Sequence, residues 1–558
     1  MNKKFVVNRR QFLASTSAAA LGAAALGGKE AAAATGPQSF QSPAGSTIPY
    51  SREELYGERA VPRTYTACGE VAFPLGGLGT GTVSLGGRGE LRDWEIFNRP
   101  AKRRILPYSF VALWVKPAGG EPAVRVIEGP PQPPFRGWEG FARHSAQGLP
   151  HFQKAHFTAT YPMATVDFED AALPVAVSLE AFNPFIPLNV DDSSLPVAVL
   201  KYRVKNRSAK PVDLALAFSL LNPVGYDGKA FLDGTDHPGF GQNLNRLRKE
   251  GTVAGLDLTS GKYSVSDPRS GSMALLTTAP DFTARTSWEN GAWWDFYQKW
   301  FDEFSADGRM QDSHAPTPSP EGKSDYCTLA PRAHLAPGEA TTITFILAWY
   351  FPVRENYWHD DDDKLKGKRL TNYYGTRFQN AWEAAHHAAE RLPELESKSR
   401  LFAETMLLST LPPYVIEAVT SQASILRTNT CMLLEGKQFF AFEGCGDDQH
   451  NGWMNCSHVW NYEQALAFLF PELERSMRET DFCMRCAATT AWRFAPWCRS
   501  ESSSGTSVPR PMARWDASSS CIANGSSPAT TPSSKRCGPT RNAHLNLPGS
   551  FGMPIATV

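Results

Sequence analysis

Between Phe442 and His458 the sequence reads FEGCGDDQHNGWMNCSH, which sets one Glu, two Asp, two Cys and two His within seventeen residues. Such a cluster could hold a metal, form a disulfide or supply a carboxylate for nucleophilic or acid–base work. As metal ligands, Cys445, His450, Cys456 and His458, with Asp447 and Asp448 between them, have a C-x10-C spacing. Structural zinc sites use closer pairs, so the spacing favours either a Cys445–Cys456 disulfide or plain thiols, and neither a metal nor a cofactor is expected. Glu443 follows an apolar run and precedes Gly444, which leaves room for a ring beside the carboxylate. A single acid among 56 is, on chemistry alone, ordinarily a surface charge. Trp453 and Trp460 have the flat faces that stack on sugars, and equally the bulk that fills cores.

A second stretch, FPLGGLGTGTVSLGGRG, places seven glycines in seventeen residues from Phe73 to Gly89. A dinucleotide fingerprint would need its glycines between a strand and a helix N-terminus. Here Gly77, Gly79 and Gly81 lead into Thr82-Val83-Ser84-Leu85, a strand pattern. GGRG is then a turn and ELRDWEIFN a second strand. The segment therefore reads as a β-hairpin without a phosphate cradle.

The elements that must position these residues change character along the chain. Residues 55–352 carry short β-branched and alternating runs such as LPVAVLKYRVKNRS and TTITFILAWYFPV, bounded by Gly, Pro, Asn or Asp, which indicates a large β-sandwich. Residues 353–376, with HDDDDK inside, read as an acidic linker loop. From Phe378 the apolar spacing becomes helical through Trp382, Ala385, Ala389 and Leu392. Pro413 opens a further helix, TCMLLEGKQFFAFEG reads as a hairpin, and NYEQALAFLF as an apolar helix. With 56 basic and 56 acidic residues the chain has zero formal net charge, which gives no electrostatic reason to expect nucleic acid. Oligomeric state is not legible.

Three stretches in this order resemble glycoside hydrolase family 116, which includes bile-acid β-glucosidase (non-lysosomal glucosylceramidase) and bacterial β-glucosidases and β-xylosidases. They are FPLGGLGTGTVSLGGRGELRDWEIFNRP, NYYGTRFQNAWEAA and FEGCGDDQHNGWMNCSHVWNYEQALAFLFPELERSMRETDF, spanning about Tyr50 to Phe482. The resemblance implies a β-then-α protein, an N-terminal β-sandwich followed by an (α/α)6 barrel that begins at about residue 377, and retaining hydrolysis of β-glucosides. Retention needs one carboxylate to attack the anomeric carbon and a second to protonate the leaving oxygen. The family's nucleophile maps onto Glu443. His458 falls where some members carry a sugar-binding Asp, so His458, with Trp453, is implied as a substrate contact. A non-catalytic sugar-binding or structural β-sandwich protein is the alternative.

After residue 485 the pattern breaks. Residues 486–558 contain no Tyr, two acids and seven Lys or Arg, with neither helical nor strand periodicity. Recoded one nucleotide earlier, residues 511–525 permit ADGKMGCIVKLYREW, an amphipathic pattern. The expectation is a frameshift near Cys483–Cys486 that leaves a partial barrel (377–485), an out-of-frame tail lacking the family's acid/base residue, and an inactive chain. At the other end, Arg9-Arg10-Gln11-Phe12-Leu13 precedes a weakly apolar Ala/Gly/Leu stretch and an A-x-A site near Ala34, the pattern of a twin-arginine export signal (residues 1–34), followed by a Pro/Ser/Gly-rich linker over 35–54. The mature chain carries no apolar run long enough to span a membrane and is expected in the periplasm or outside the cell. Replacing Arg9 and Arg10 by Lys should strand the precursor in the cytoplasm, read by fractionation; continued export would remove the twin-arginine reading.

Overall fold

The computed structural model describes residues 62–481 apart from 67–68, 132–145, 147, 290–295, 313–314, 359–365, 453 and 456–459. The expected signal peptide, linker and out-of-frame tail, and the HDDDDK run, lie outside the described residues.

Alternating runs give two main antiparallel sheets. The nine-stranded sheet runs, in spatial order, Thr64–Thr66, Lys154–Thr160, Met163–Glu169, Val175–Phe182, Val197–Asn206, Ala340–Tyr350, Ser272–Thr277, Val253–Ser260 and Asn243–Glu250. The five-stranded sheet runs Phe282–Arg285, Tyr326–Leu335, Val212–Leu221, Phe110–Pro117 and Ala123–Val126. One continuous core takes Leu200, Tyr202, Val204, Leu275, Phe345 and Leu347 from the first sheet and Leu214, Leu216, Phe218 and Leu329 from the second. Burying each such side chain contributes roughly 1.5–3 kcal/mol.

Where a central strand loses its alternation, a helix explains it. Val197, Ala274, Leu276, Ile346 and Ala348 point to the opposite face and bury against Ala381, Trp382, Ala385 and Ala388 of the helix Ala381–Glu390. Alanines at those positions let the helix lie close to the sheet. Its start is capped by Asn380, whose side chain accepts from the Glu383 N–H, while Glu383 accepts from the Gln379 N–H at 2.7 Å. Helices Leu392–Leu407 and Pro413–Ala423 follow. Two expectations need correction. NYEQALAFLF is not one helix but a 3-10 turn, Trp460–Tyr462, and a short helix, Leu466–Leu469, with Phe468 74% exposed; its longer successor, Pro471–Glu479, starts at the next proline. Nor is 353–376 simply a linker loop: Val353–Glu355 pairs with Arg369–Thr371, and a 3-10 turn spans Tyr373–Thr376. Among the described residues no helix is long and apolar enough to cross a membrane.

The glycine-rich stretch forms a small sheet of its own, Ala72–Leu75, Thr82–Gly86 and Leu91–Glu95, without a helix after the glycines. Its connecting loop, Gly76–Gly81, is wedged between two other parts of the molecule. A Cβ on Gly77 would sit 2.6 Å from the Leu195 carbonyl oxygen, and one on Gly79 would sit 2.9 Å from the Leu433 Cα and overlap its nitrogen. Gly79 also holds φ +67°. Gly119 has a similar φ, +71°, with nothing within 4 Å of the added carbon. Gly119→Ala should therefore cost only the left-handed penalty, about 1–2 kcal/mol. Gly79→Ala should add an overlap term of about 1–3 kcal/mol. Guanidinium unfolding midpoints of the two variants check this; equal shifts would contradict a close-approach role for Gly79.

Candidate functional site

The hairpin of strands Cys431–Leu434 and Gln438–Ala441 carries Glu443 just beyond its end. The chain then makes a second, tighter hairpin in which Gly444 pairs with Asn451 and Cys445 with His450, closed by Gly446 N–H donating to the Gln449 carbonyl at 2.8 Å. The Glu443 N–H donates to the Asn451 carbonyl at 3.2 Å. Continuing that register sets Glu443 opposite Gly452, which holds φ +68°. A Cβ on Gly452 would come within 2.7 Å of the Glu443 Cγ and overlap its carboxyl carbon. The missing side chain at Gly452 is thus what gives the half-buried Glu443 side chain its place.

The remaining predicted residues separate. Asp447 and Asp448 are exposed at the turn tip, and the Asp447 carbonyl accepts from the Lys102 N–H at 2.7 Å. Cys445 is a free thiol against the Thr430 hydroxyl at 3.4 Å, and burial pushes it up to about 11, so it is no thiolate nucleophile. Among the described residues no group of His, Cys, Asp and Glu is arranged to hold a metal. Trp460 is 3% exposed and belongs to the main core, so it offers no face to a sugar. Trp453, Cys456 and His458 lie outside the described residues.

His450 turns inward. Its Nδ1 accepts from the Tyr357 hydroxyl at 2.7 Å, its Nε2–H donates to the Asn429 carbonyl at 2.9 Å, and its ring stacks on Phe442 with centroids 3.9 Å apart. Burial, and then the Arg354 and Arg99 charges, lower its pKa to about 3, against the weaker pull of the Asn429 hydrogen bond. A neutral imidazole with a fixed tautomer therefore braces the residue before Glu443. By residue type and spacing His450 groups only with metal ligands; its pairing with Tyr357, 93 positions away, leaves no local signal. Glu463 also has an acid-like character, raised to about 7 by burial against the pull of the Leu466 and Ala465 N–H groups. Those same N–H groups, at 3.1 and 2.8 Å, occupy both its carboxyl oxygens at the start of Leu466–Leu469. Its work is to hold that helix start.

The family model described as beta-glucosidase 2, glycosyl-hydrolase family 116 N-terminal, matches residues 72–395, more than half of the chain. Among solved structures, a bacterial glucoamylase complexed with acarbose is 9% identical, with TM-score 0.37, over 85% of this chain and 59% of that one. A putative kojibiose phosphorylase from human microbiome is 9% identical, with TM-score 0.30, over 77% and 43%. A family GH92 α-mannosidase from Bacteroides thetaiotaomicron is 8% identical, with TM-score 0.26, over 84% and 56%. The chain spans less than two thirds of the length of each of these structures.

The environment of His450 has a measurable consequence. Its folded pKa lies below its unfolded value of 6.5, so below that pH the unfolded chain binds the extra proton. The contribution is fully present above pH 6.5 and is lost as pH falls toward about 3. Nitrogen-15 NMR should show the neutral Nε2–H tautomer of His450 still in place at pH 5; an imidazolium signal there would contradict the buried-brace geometry.

Proposed function

The chain belongs to glycoside hydrolase family 116, and on that premise we propose that it is a retaining β-glycosidase whose nucleophile is Glu443, acting on β-linked glucosides. The observation that carries the reading is the placement of the Glu443 side chain over Gly452, at the head of a tight hairpin. In this reading the carboxylate attacks the anomeric carbon, the bond to the leaving oxygen breaks, and water later releases the sugar. His458 and Trp453 contact the substrate, and the enzyme works outside the cytoplasm after twin-arginine export.

The second carboxyl group, which protonates the leaving oxygen, lies in the family well beyond residue 485, and in this reading the out-of-frame tail lacks it. Consistent with an incomplete barrel, Leu401 and Leu408, in and at the end of helix Leu392–Leu407, and Tyr414 of Pro413–Ala423 are 62%, 59% and 58% exposed. Lacking acid assistance, the chain as written loses a factor of roughly 10²–10⁴ on unactivated glycosides.

Restoring the frame near codon 485 should produce β-glucosidase activity with retained anomeric configuration. A 2-fluoro-glucoside with an activated leaving group should then label the peptide carrying Glu443. Glu443→Gln should abolish both label and turnover. Inverted product, or full activity in Glu443→Gln, would overturn the nucleophile assignment. Sugar binding that survives Glu443→Gln, in a protein that never labels, would favour a non-catalytic binding module.

A further inference from the structure

A second concave site has Tyr357 in its wall and none of the described residues assigned above to catalysis. It is a cleft of about 220 Å³ whose walls include Arg99, Tyr226, Asp227, Lys229, Arg269 and Glu355. That is smaller than the ~300–1,000 Å³ typical of larger ligand pockets and suits a single ring.

Its charges do not balance. Arg269 donates from Nε and Nη2 to Asp267 at 3.0 and 2.9 Å. Lys229 Nζ lies 3.6 Å from Asp227, and Glu355 lies 3.1 Å from Arg369. Arg99 is left over. Its guanidinium lies over the Tyr357 ring, 4.6 Å from the centroid, and its buried Nε has no hydrogen-bond acceptor. Among the described residues it meets no carboxylate. Leaving a buried guanidinium N–H unpaired is unfavourable, and a planar donor fork is matched best by a carboxylate.

The rest of the wall suits a hydroxylated ring. Phe97 and Tyr226 meet edge to face with centroids 5.0 Å apart and supply an apolar side. Asp227 and Glu355 supply acceptors. The Arg99 backbone is anchored by its carbonyl, which accepts from the Asn429 side chain at 3.0 Å, and its side chain lies close to Gly228, with Cδ 3.0 Å from where a Cβ there would sit. From the unpaired Arg99 guanidinium beside aromatic and acceptor side chains in a ring-sized cleft, we infer that the protein binds a hexuronic acid unit there, its carboxylate on Arg99 and its hydroxyls on Asp227 and Glu355. Glu443 does not line this site, and the inference does not rest on the glycosidase reading.

The test is saturation-transfer NMR and calorimetry on the full chain with sodium glucuronate, glucose and sodium acetate. Glucuronate should bind at least about tenfold more tightly than either control, a difference of about 1.4 kcal/mol. Arg99→Leu should remove that preference, and Glu443→Gln should leave it unchanged. No binding of glucuronate overturns the proposal. Binding of glucose that equals and competes with that of glucuronate shows that the carboxylate is not read, and equal binding of acetate shows an adventitious anion contact; each overturns it too. Loss of binding in Glu443→Gln would put the ligand elsewhere and overturn it as well. If Arg99→Leu does not fold, Arg99→Lys replaces it: the point charge without the fork should bind more weakly, and unchanged affinity counts against the site.

Discussion

The structure turns on a close approach of backbone to backbone, where the Gly76–Gly81 loop lies against Leu195 on one side and Leu433 on the other. No side chain fits in either gap. The loop is made rigid by Thr80, whose hydroxyl accepts from the Gly77 N–H and donates toward the Gly77 and Gly81 carbonyls. It is fastened to the large sheet by Trp349 Nε1–H donating to the Thr80 carbonyl at 2.8 Å, and to the short helix Val190–Ser193, beside that sheet's strand Val197–Asn206 in sequence, by Leu78 N–H donating to the Ser193 carbonyl at 2.8 Å. The hairpin that presents Glu443 therefore inherits its position from the sandwich. The glycines remove the Cβ atoms that would hold the two apart.

A buried polar knot makes the second attachment. Asn372 Nδ2 donates to Asn98 Oδ1 at 2.7 Å, Asn98 donates to the Phe351 and Val353 carbonyls, and the fully buried Arg354 reaches both Asn372 and the Asn98 carbonyl. Such groups are worth little net when paired, but each costs about 1–3 kcal/mol when one partner is removed. The knot consequently selects one geometry more than it adds stability. Asn98 belongs to the DWEIFNRP stretch and Asn372 to NYYGT, while Lys102, four residues after Asn98, donates its N–H to Asp447. Two of the stretches that carry the family resemblance thus meet directly, and the third is tied in from Lys102, two residues beyond the end of the first.

This is also where the sequence stops being readable. Period-2 alternation shows strands such as Met163–Glu169 because one face is wet. The helix beginning near Phe378 shows for the same reason, since one stripe of it faces the sheet. Arg354 gives no such signal: within FPVREN it looks like an exposed charge, and only a fold that brings Asn98 and Asn372 onto it makes it internal. His450 and Gly452 are likewise invisible, because their roles depend on Tyr357 and on a hairpin register that close spacing alone does not specify. Glu443 was reachable only through resemblance; its residue type and spacing do not separate it from other acids.

The electrostatics around the second hairpin follow from that same burial. Glu95 is enclosed, which raises its pKa, and Lys102 bonds it at 2.8 Å to offset part of that cost. Burial opposes the charge of Lys102 as well, but Glu95 outweighs it and leaves the ammonium pKa raised. This pair sits beneath the turn tip and neutralises itself, while His450 stays uncharged on the inner side. The hairpin is therefore held mainly by neutral groups and internally paired charges. Among the described residues, that arrangement leaves Glu443 without a fixed positive partner in the hairpin itself. On the proposed assignment of Glu443 as nucleophile this freedom is an advantage, because a carboxylate locked to a cation would have to give up that interaction before it could bond to carbon.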